Sequence, residues 1–226
     1  MELCYYYFMY REFKFAPEEY YHIYNRGTDK REIFTNEKDY ERFIQSLYLF
    51  NSEERIVLKM ISKKDRFSYE REETLVDIGA YCLMSNHFHL LVRAKNDEGV
   101  SSFMKKLQTS YSMYFNKKYE RNGSLFQGPF KAEHVGRDEY LKYLFAYIHL
   151  NPIKIIDPEW KENGIADMSE SKNYLNLYKH SSYIDYLVGG RQEANILNKA
   201  VFPEYFEEPK VFDDFINFWL TFKNRV

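Results

Sequence analysis

The feature that most constrains the fold is the stretch Ala80–Arg93, which has the pattern of a β-hairpin containing His87-Phe88-His89. Two apolar runs flank the polar pair Ser85-Asn86. Side chains alternate between the two faces of a strand, so His87 and His89 point to one face and Phe88 to the other. Two adjacent imidazoles can each give a ring nitrogen to a divalent metal ion. The pattern also fits histidines that only pack or form hydrogen bonds.

Composition limits the class of protein. A length of 226 residues, 45% of them hydrophobic, allows one large domain or one domain with a tail. Cys4 and Cys82 fit neither a disulfide framework nor a zinc cluster, which favours a reducing cytoplasm. The apolar run from Cys4 to Tyr10 is too short to span a bilayer, and no signal-peptide pattern precedes it. We therefore expect a cytoplasmic protein without a membrane partner.

Charge is informative locally but not overall. The net charge of −2 does not indicate a nucleic-acid partner. Between Phe103 and Lys131, however, six basic residues stand against one acidic residue and alternate with aromatic ones. Such a mixture is typical of grooves that bind single-stranded DNA, although a solvated helix face is the alternative. The predicted DNA-binding residues are Lys105, Lys106, Lys117, Lys118, Arg121 and Lys131.

The periodicity of apolar residues predicts an α+β fold, with an antiparallel sheet and helices on one side of it. His22, in the first strand, is interpreted as a packed or hydrogen-bonded side chain. Pro129 places the last strand at an edge of the sheet, and the residue before Pro152 is expected to leave the helical region and end the third helix near Asn151. The predicted elements are strand Glu19–Gly27, a helix capped by Thr35 or Asn36, a charged exposed insertion at 51–74 with a short strand at Ile56–Ile61, the central hairpin, helix Val100–Tyr119, strand Ser124–Val135 and helix Asp138–Leu150.

The character of the chain changes near Pro158. We predict a core domain over residues 1–157 and a mainly helical C-terminal extension over 158–226, with helical stretches at Ser182–Val188 and Val211–Lys223. The second stretch carries an apolar stripe that should pack on the core. We therefore expect a monomer, with a dimer as the alternative.

The third helix supplies the remaining candidate site residues. Tyr147 and Asn151 are four residues apart, so they lie on one helical face. The Asn151 amide oxygen can be a third metal ligand, and the Tyr147 phenol can attack a phosphodiester to give a phosphotyrosine. A phenol has a pKa of about 10, and a nearby divalent cation favours its phenolate. Tyr143, one turn earlier, is a rival nucleophile.

Four segments in order resemble the single-tyrosine HUH transposases, especially the REP-associated tyrosine transposases. They read YHIYNRG, MSNHFHLLV, YFNKKYERNGSLFQGPF and DEYLKYLFAYIHLNP, within residues 20–157. The resemblance implies a ferredoxin-like α+β core and cleavage of single-stranded DNA beside hairpins with Mg²⁺ or Mn²⁺. It also implies that His87 and His89 are the metal pair, Asn151 the third ligand and Tyr147 the nucleophile.

Two other functions stay open from the sequence. One is a domesticated hairpin-binding protein that has lost mobility. The other is a metal-dependent phosphodiesterase that activates water, for which His134 or His149 would be the general base. Coupling of the protein to labelled single-stranded DNA that resists SDS distinguishes the transposase from both.

Overall fold

Four strands form one antiparallel sheet in the order β2-β3-β1-β4. The computed structural model describes residues 14–203 and 208–221. With one helix after β1 and another after β3, this strand order is the ferredoxin-like arrangement and confirms the predicted fold class. The core elements are β1 Tyr20–Arg26, α1 Glu37–Leu49, β2 Val76–Met84, β3 His87–Ala94, α2 Gly99–Lys118, β4 Lys131–His134 and α3 Asp138–Leu150.

The predicted hairpin is confirmed as β2 and β3, which pair in antiparallel register from Met84 opposite His87. All of β2 is buried, because helices or C-terminal segments cover both of its faces. Phe88 lies on the face that contacts α1, where its ring centroid is 5.1 Å from that of Phe43. The two strand histidines consequently lie on the other face.

Helices cover both faces of the sheet, whereas the sequence predicted helices on one side. Helices α1 and α2 lie on one face of the sheet, where they bury Phe88 and Leu90. The other face carries Leu91 and Cys82, which are also apolar and would be exposed without a cover. The helix α3 packs there through residues such as Leu144.

Helix α3 ends next to Asn151, as the sequence predicted, but the physical reason expected for this end was wrong. Asn151 precedes Pro152 and yet keeps helical angles, with φ −51° and ψ −39°. A 3-10 helix, Asn151–Ile155, begins directly at this point and holds Pro152 in its first turn, where no N–H is needed. The helix therefore tightens here and continues into a second, shorter helix.

The charged segment 51–74 contains no strand, contrary to the prediction for Ile56–Ile61. Two 3-10 turns, Leu58–Met60 and Lys63–Asp65, occupy it instead. The side chains of Leu58 and Phe67 are buried in the core, so the segment is only partly exposed.

Helix α1 begins without the predicted side-chain cap from Thr35 or Asn36. Instead, the Asp39 carboxylate in its first turn accepts the backbone N–H of Thr35.

Strand β4 lies at an edge of the sheet, as Pro129 predicted, but it is shorter than the expected Ser124–Val135. The chain before it makes only an isolated bridge between Phe126 and Gly27. Since the strand starts after Pro129, the missing N–H of that proline costs no hydrogen bond in the sheet.

The C-terminal extension is mainly helical, as predicted, and it covers the free edge of β2. Backbone N–H groups of Leu83 and Ser182 donate to the carbonyls of His180 and Tyr81, respectively, at 2.9 and 3.0 Å. Residues Cys4 and Lys223 lie outside the described residues. The helices of the extension are α4 Trp160–Asn163, α5 Met168–Leu177, α6 Tyr183–Leu187 and α7 Pro209–Thr221.

Gly79 explains how the extension lies close to the sheet. It sits at a register shift between Ile78 and Ala80, and a Cβ at this position would lie 2.5 Å from the ring of Phe202. Any larger residue would displace that ring. Across residues 14–203 and 208–221, none of the helices has the length and apolarity needed to span a bilayer.

Candidate functional site

Three histidines lie together on the face of the sheet that α3 covers. The ring centroids of His87 and His89 are 5.1 Å apart, so the structure confirms that the two side chains share a face. On the neighbouring strand, Tyr24 is opposite His89 and His22 is opposite Leu91. Paired residues of adjacent strands point to the same face, so His22 joins the two predicted residues.

His22 is a hydrogen-bonded strand histidine, as predicted, but its partner is His89. Its Nε2 lies 2.9 Å from Nδ1 of His89. Its Nδ1 is buried without a hydrogen-bond partner among the described residues and lies 3.9 Å from Oε2 of Glu133. Tyr24 and Tyr140 donate their hydroxyls to the same carboxylate at 2.7 and 3.2 Å. No local sequence pattern predicts this network, because it depends on the pairing of β1 with β3 and β4.

The neighbours determine which ring nitrogens remain available. A proton on Nδ1 of His22 faces the Glu133 carboxylate, so its Nε2 accepts the Nδ1–H of His89. The Nδ1 of His87 lies 2.6 Å from Oδ1 of Asn86 and donates to it. Both predicted metal ligands thus retain a lone pair on Nε2.

Burial keeps these imidazoles neutral. It lowers the pKa of His22 and of His87 to about 4. Burial, reinforced by the neighbouring imidazoles, also lowers the pKa of His89 well below its usual value. Neutral rings are the form that binds a metal ion.

The structure brings Tyr147 to the histidines. From α3, its ring centroid lies 5.3 Å from that of His89 and 6.1 Å from that of His22, edge-on in both cases. The rival Tyr143 stacks on Tyr147 at 6.0 Å and is 42% exposed. Its other ring contacts are with Tyr140 and Trp219, not with the histidines. This placement favours Tyr147 as the nucleophile.

Burial raises the pKa of the Tyr147 phenol, an effect that hydrogen bonding from Asn151 partly offsets. Asn151 is itself buried, and its amide Nδ2 donates to the Tyr147 carbonyl at 3.0 Å. This hydrogen bond leaves Oδ1 as the atom for a metal ion. These interactions join Asn151 to Tyr147 and not to the histidines, so its role as third metal ligand stays a prediction.

A lysine that the sequence did not single out lies against Tyr147. The Nζ of Lys161, in α4, is 3.9 Å from the Tyr147 ring centroid. Burial lowers the pKa of this ammonium to about 8, and the positive charge of Lys154 adds to the effect. Lys154 also acts electrostatically on His87 and His89. Two ammonium groups, those of Lys154 and Lys161, therefore act on the candidate site.

The predicted basic span divides between the two faces of the sheet. Lys131 pairs in register with Tyr24, and its Nζ is 5.9 Å from that ring, so it lies on the histidine face. The other five residues belong to α2 or follow it, and α2 packs on the opposite face. They are Lys105, Lys106, Lys117, Lys118 and Arg121.

Two of these five side chains, both lysines, have hydrogen-bond or ion-pair partners within the protein. The Nζ of Lys106 donates to the carbonyls of Ser52, Glu53 and Glu54 at 2.6–3.0 Å. The Nζ of Lys118 forms an ion pair with Asp39, which is fully buried. These interactions stabilise the packing of α2 and leave both ammonium groups with partners inside the protein.

Neither candidate general base for a water-using phosphodiesterase faces the site. His149 is fully buried, donates its Nδ1–H to the Phe145 carbonyl and accepts the Ser182 hydroxyl at Nε2, and burial lowers its pKa to about 3. His134 binds Glu19 and packs on Tyr21, on the α1 and α2 face. That alternative therefore lacks the residues proposed for it.

The predicted metal ligands offer three donor atoms. Within the described residues, no three His, Cys, Asp or Glu side chains are arranged to hold a metal ion. The available set is two neutral imidazoles and one amide oxygen, from His87, His89 and Asn151. Such a set leaves coordination positions for phosphate oxygens and water.

The fold and the site define the class of protein. A ferredoxin-like sheet with two strand histidines on one face, covered by a helix that presents a tyrosine, is the arrangement implied for single-tyrosine HUH proteins. Residues 17–151 match the family model described as Transposase IS200 like, which is more than half of the chain. The chain belongs to this family and is a transposase-type, DNA-processing enzyme.

Two solved structures are similar at low identity. One is described as a REP-associated tyrosine transposase bound to a REP hairpin, with 13% identity and a TM-score of 0.43, covering 65% of this chain and 73% of that one. The other is tRNA(His) guanylyltransferase from Saccharomyces cerevisiae, with 13% identity and a TM-score of 0.38, covering 90% and 86%. No curated protein sequence matches the chain.

Proposed function

We propose that the protein nicks single-stranded DNA near hairpins and transfers the strand through a 5′-phosphotyrosine on Tyr147. The observation that carries the proposal is the position of the Tyr147 ring against His89 and His22. Family membership supports the DNA-processing activity. The tyrosine mechanism and the hairpin substrate are our inference from the site.

In the proposed reaction, the Tyr147 oxygen attacks the phosphorus of a phosphodiester. The new bond joins the tyrosine oxygen to phosphorus and the bond from phosphorus to the 3′ oxygen breaks. The phenol loses its proton and the leaving 3′ oxygen takes one up, so no net proton is released. The products are a protein-bound 5′ phosphate and a free 3′ hydroxyl, so the bond energy is stored for rejoining to another 3′ hydroxyl.

The residues around Tyr147 suit this step. The raised pKa of the phenol means that its anion must be stabilised, and the Lys161 ammonium next to the ring provides a positive charge. When bound by His87, His89 and Asn151, Mg²⁺ or Mn²⁺ would polarise the scissile phosphate. Glu133 and His22 hold the ring of His89 in one tautomer.

We propose that DNA crosses the histidine face. Lys131, Arg26 and Lys154 are exposed, and the last two act electrostatically on His87. Lys105, Lys117 and Arg121 lie on the opposite face and would meet only DNA that wraps around the domain. The strongest phosphate contacts should therefore come from β4 and the turn after α3, not from α2.

The test is covalent coupling between the full-length protein and labelled DNA. Single-stranded oligonucleotides with and without a hairpin are incubated with Mg²⁺ or Mn²⁺, and adducts are separated in SDS. We expect a labelled adduct that needs the metal ion and forms better with the hairpin. Cleavage without an adduct would instead support a water-using phosphodiesterase, and binding without cleavage a hairpin-binding protein.

A further inference from the structure

A cleft beside Tyr147 separates α3 from the C-terminal extension. Its empty volume, including the open mouth, is about 400 Å³. The walls come from α3, α4 and α7. The side chains that line it are Tyr143, Ala146, Tyr147, Leu150, Trp160, Lys161 and Trp219.

The walls of this cleft are mainly aromatic. Tyr143 and Tyr147 stack at 6.0 Å with their planes inclined by 28°, and the ring of Trp219 meets that of Tyr143 at 5.6 Å. Flat aromatic walls are suited to a planar heterocycle, which can stack on them.

The cleft is also next to positive charge. Lys161 lines it, with its Nζ 3.9 Å from the Tyr147 ring and 5.7 Å from that of Trp160. Lys154 is close enough to lower the pKa of Lys161 further. An aromatic slot with a cation at its rim matches one nucleotide, whose base is planar and whose phosphate is anionic.

We propose that this cleft binds one unstacked nucleobase of the DNA strand, next to the phosphate that Tyr147 attacks. The base lies against Trp160 and Trp219, and its phosphate faces Lys161. This inference rests on the proposed function, since the cleft opens beside the nucleophile. It adds that the C-terminal extension helps to hold the DNA strand. The nucleotide is then held between α3 and the extension, which places its phosphate next to Tyr147.

The tryptophans provide a direct test, because the chain contains only two and both line the cleft. Tryptophan emission therefore reports on this cleft alone. Full-length Tyr147→Phe protein, which should not cleave, is titrated with a random-sequence single-stranded 12-mer and with a 12-mer made only of abasic nucleotides. Binding is followed in parallel by anisotropy of a label on the DNA.

We expect the 12-mer with bases to quench tryptophan emission and the abasic 12-mer to leave it unchanged. Trp219→Leu should raise the dissociation constant of the first probe about fivefold, the loss of one base–aromatic stack. Val211→Ala is the control on the same helix, since Val211 lies two turns from Trp219 on α7, is 47% exposed and does not line the cleft. It should change neither quenching nor affinity. Thermal unfolding of both variants checks that the fold is retained.

Four results would overturn the inference. If the 12-mer binds by anisotropy and tryptophan emission stays constant, the cleft is not used, although DNA binding as proposed stands. Equal quenching by the abasic 12-mer would mean that only the backbone charge is sensed. Equal losses in Trp219→Leu and Val211→Ala would point to a general effect on α7. If neither oligonucleotide binds, the proposed function fails together with the inference.

Discussion

At the scale of residues, buried neutral histidines couple stability to pH. Burial lowers the pKa of His22 and His87 to about 4 and that of His149 to about 3. The unfolded chain binds protons below pH 6.5, whereas the folded protein does not until much lower pH. Their contribution to stability is therefore complete above about pH 6.5 and is lost as the pH falls towards 4.

We predict that the free energy of unfolding, measured with urea, falls steadily between pH 6.5 and 4.5. His149 offers the cleanest variant because it is fully buried and its ring nitrogens contact Phe145 and Ser182, not the strand histidines. In His149→Gln the slope should be shallower by about 1.4 kcal/mol per pH unit, the value for one proton. An unchanged slope would show that His149 is protonated equally in the folded and unfolded states.

Metal binding is the second prediction at this scale. Replacing both His87 and His89 by alanine should abolish binding of Mn²⁺ without unfolding the protein, since the two side chains face the site. Calorimetry with Mn²⁺, in the presence and absence of a single-stranded oligonucleotide, measures the effect. Wild-type protein should bind more tightly with DNA, whose phosphates complete the coordination. Undiminished Mn²⁺ affinity in the double variant would remove the proposed metal site.

Some of these residues were predictable from the sequence and others were not. Alternation along one strand places His87 and His89 on one face, and the helical period places Tyr147 one turn from Asn151. His22, Glu133 and Lys161 belong to other elements, and only the register of β1 and the position of α4 bring them to the site. Their types were visible in the sequence, but no local pattern connects them.

At the scale of elements, the positions of α2 and β4 change the expected path of DNA. The aromatic and basic residues of α2 predicted a groove, yet its aromatic side chains Phe103 and Tyr111 are buried against the sheet. Of the two lysines between them, Lys105 is exposed and Lys106 stabilises the packing of the helix. Amphipathic helices that cover a sheet have the same pattern as a basic binding surface, so the sequence alone could not separate the two.

We predict that site-face lysines contribute more to DNA binding than those of α2. Lys131→Glu with Lys154→Glu should weaken binding of a single-stranded 12-mer and reduce its salt dependence by about 0.7 per lost phosphate contact. The matched pair, Lys105→Glu with Lys117→Glu, keeps the same charge change on the opposite face. Titrations between low and moderate salt compare the two variants. A larger loss in the α2 variant would contradict the proposed path.

The elements themselves were predictable to different degrees. The hairpin and helices α1 to α3 have long, regular patterns, and the structure confirms them. The segment 51–74 was mispredicted because Ile56–Ile61 has the apolar content of a strand but no partner strand next to it. In β4, Pro129 correctly indicated an edge position. Helix α5 was missed because only Leu175 and Ser171 are buried along its length.

At the scale of the whole molecule, the C-terminal extension covers an apolar surface of the core domain. Two residues of the predicted apolar stripe of α7, Phe212 and Ile216, are fully buried. The ring of Phe212 stacks on Tyr186 at 5.1 Å and meets Phe145 of α3 at 6.2 Å. Because α7 hides this surface from solvent, it removes an apolar patch through which copies could associate.

We predict that the full-length protein is a monomer at micromolar concentration. A chain ending before Pro209 should self-associate, because Phe145 and Tyr186 would be exposed. Light scattering on both proteins measures the molar mass, and thermal unfolding of the shorter chain shows whether it still folds. A full-length dimer would contradict the protective role assigned to α7.

The central claim is that Tyr147 is the nucleophile, and Tyr147→Phe tests it most directly. The substitution removes one oxygen and keeps the ring beside His89, so fold and DNA binding should survive. Using labelled hairpin DNA and Mn²⁺, we predict that cleavage and the SDS-resistant adduct disappear together. Tyr143→Phe is the matched control on the same helix and should keep both nearly intact. An adduct that still forms in Tyr147→Phe, or is lost in Tyr143→Phe, would contradict the account.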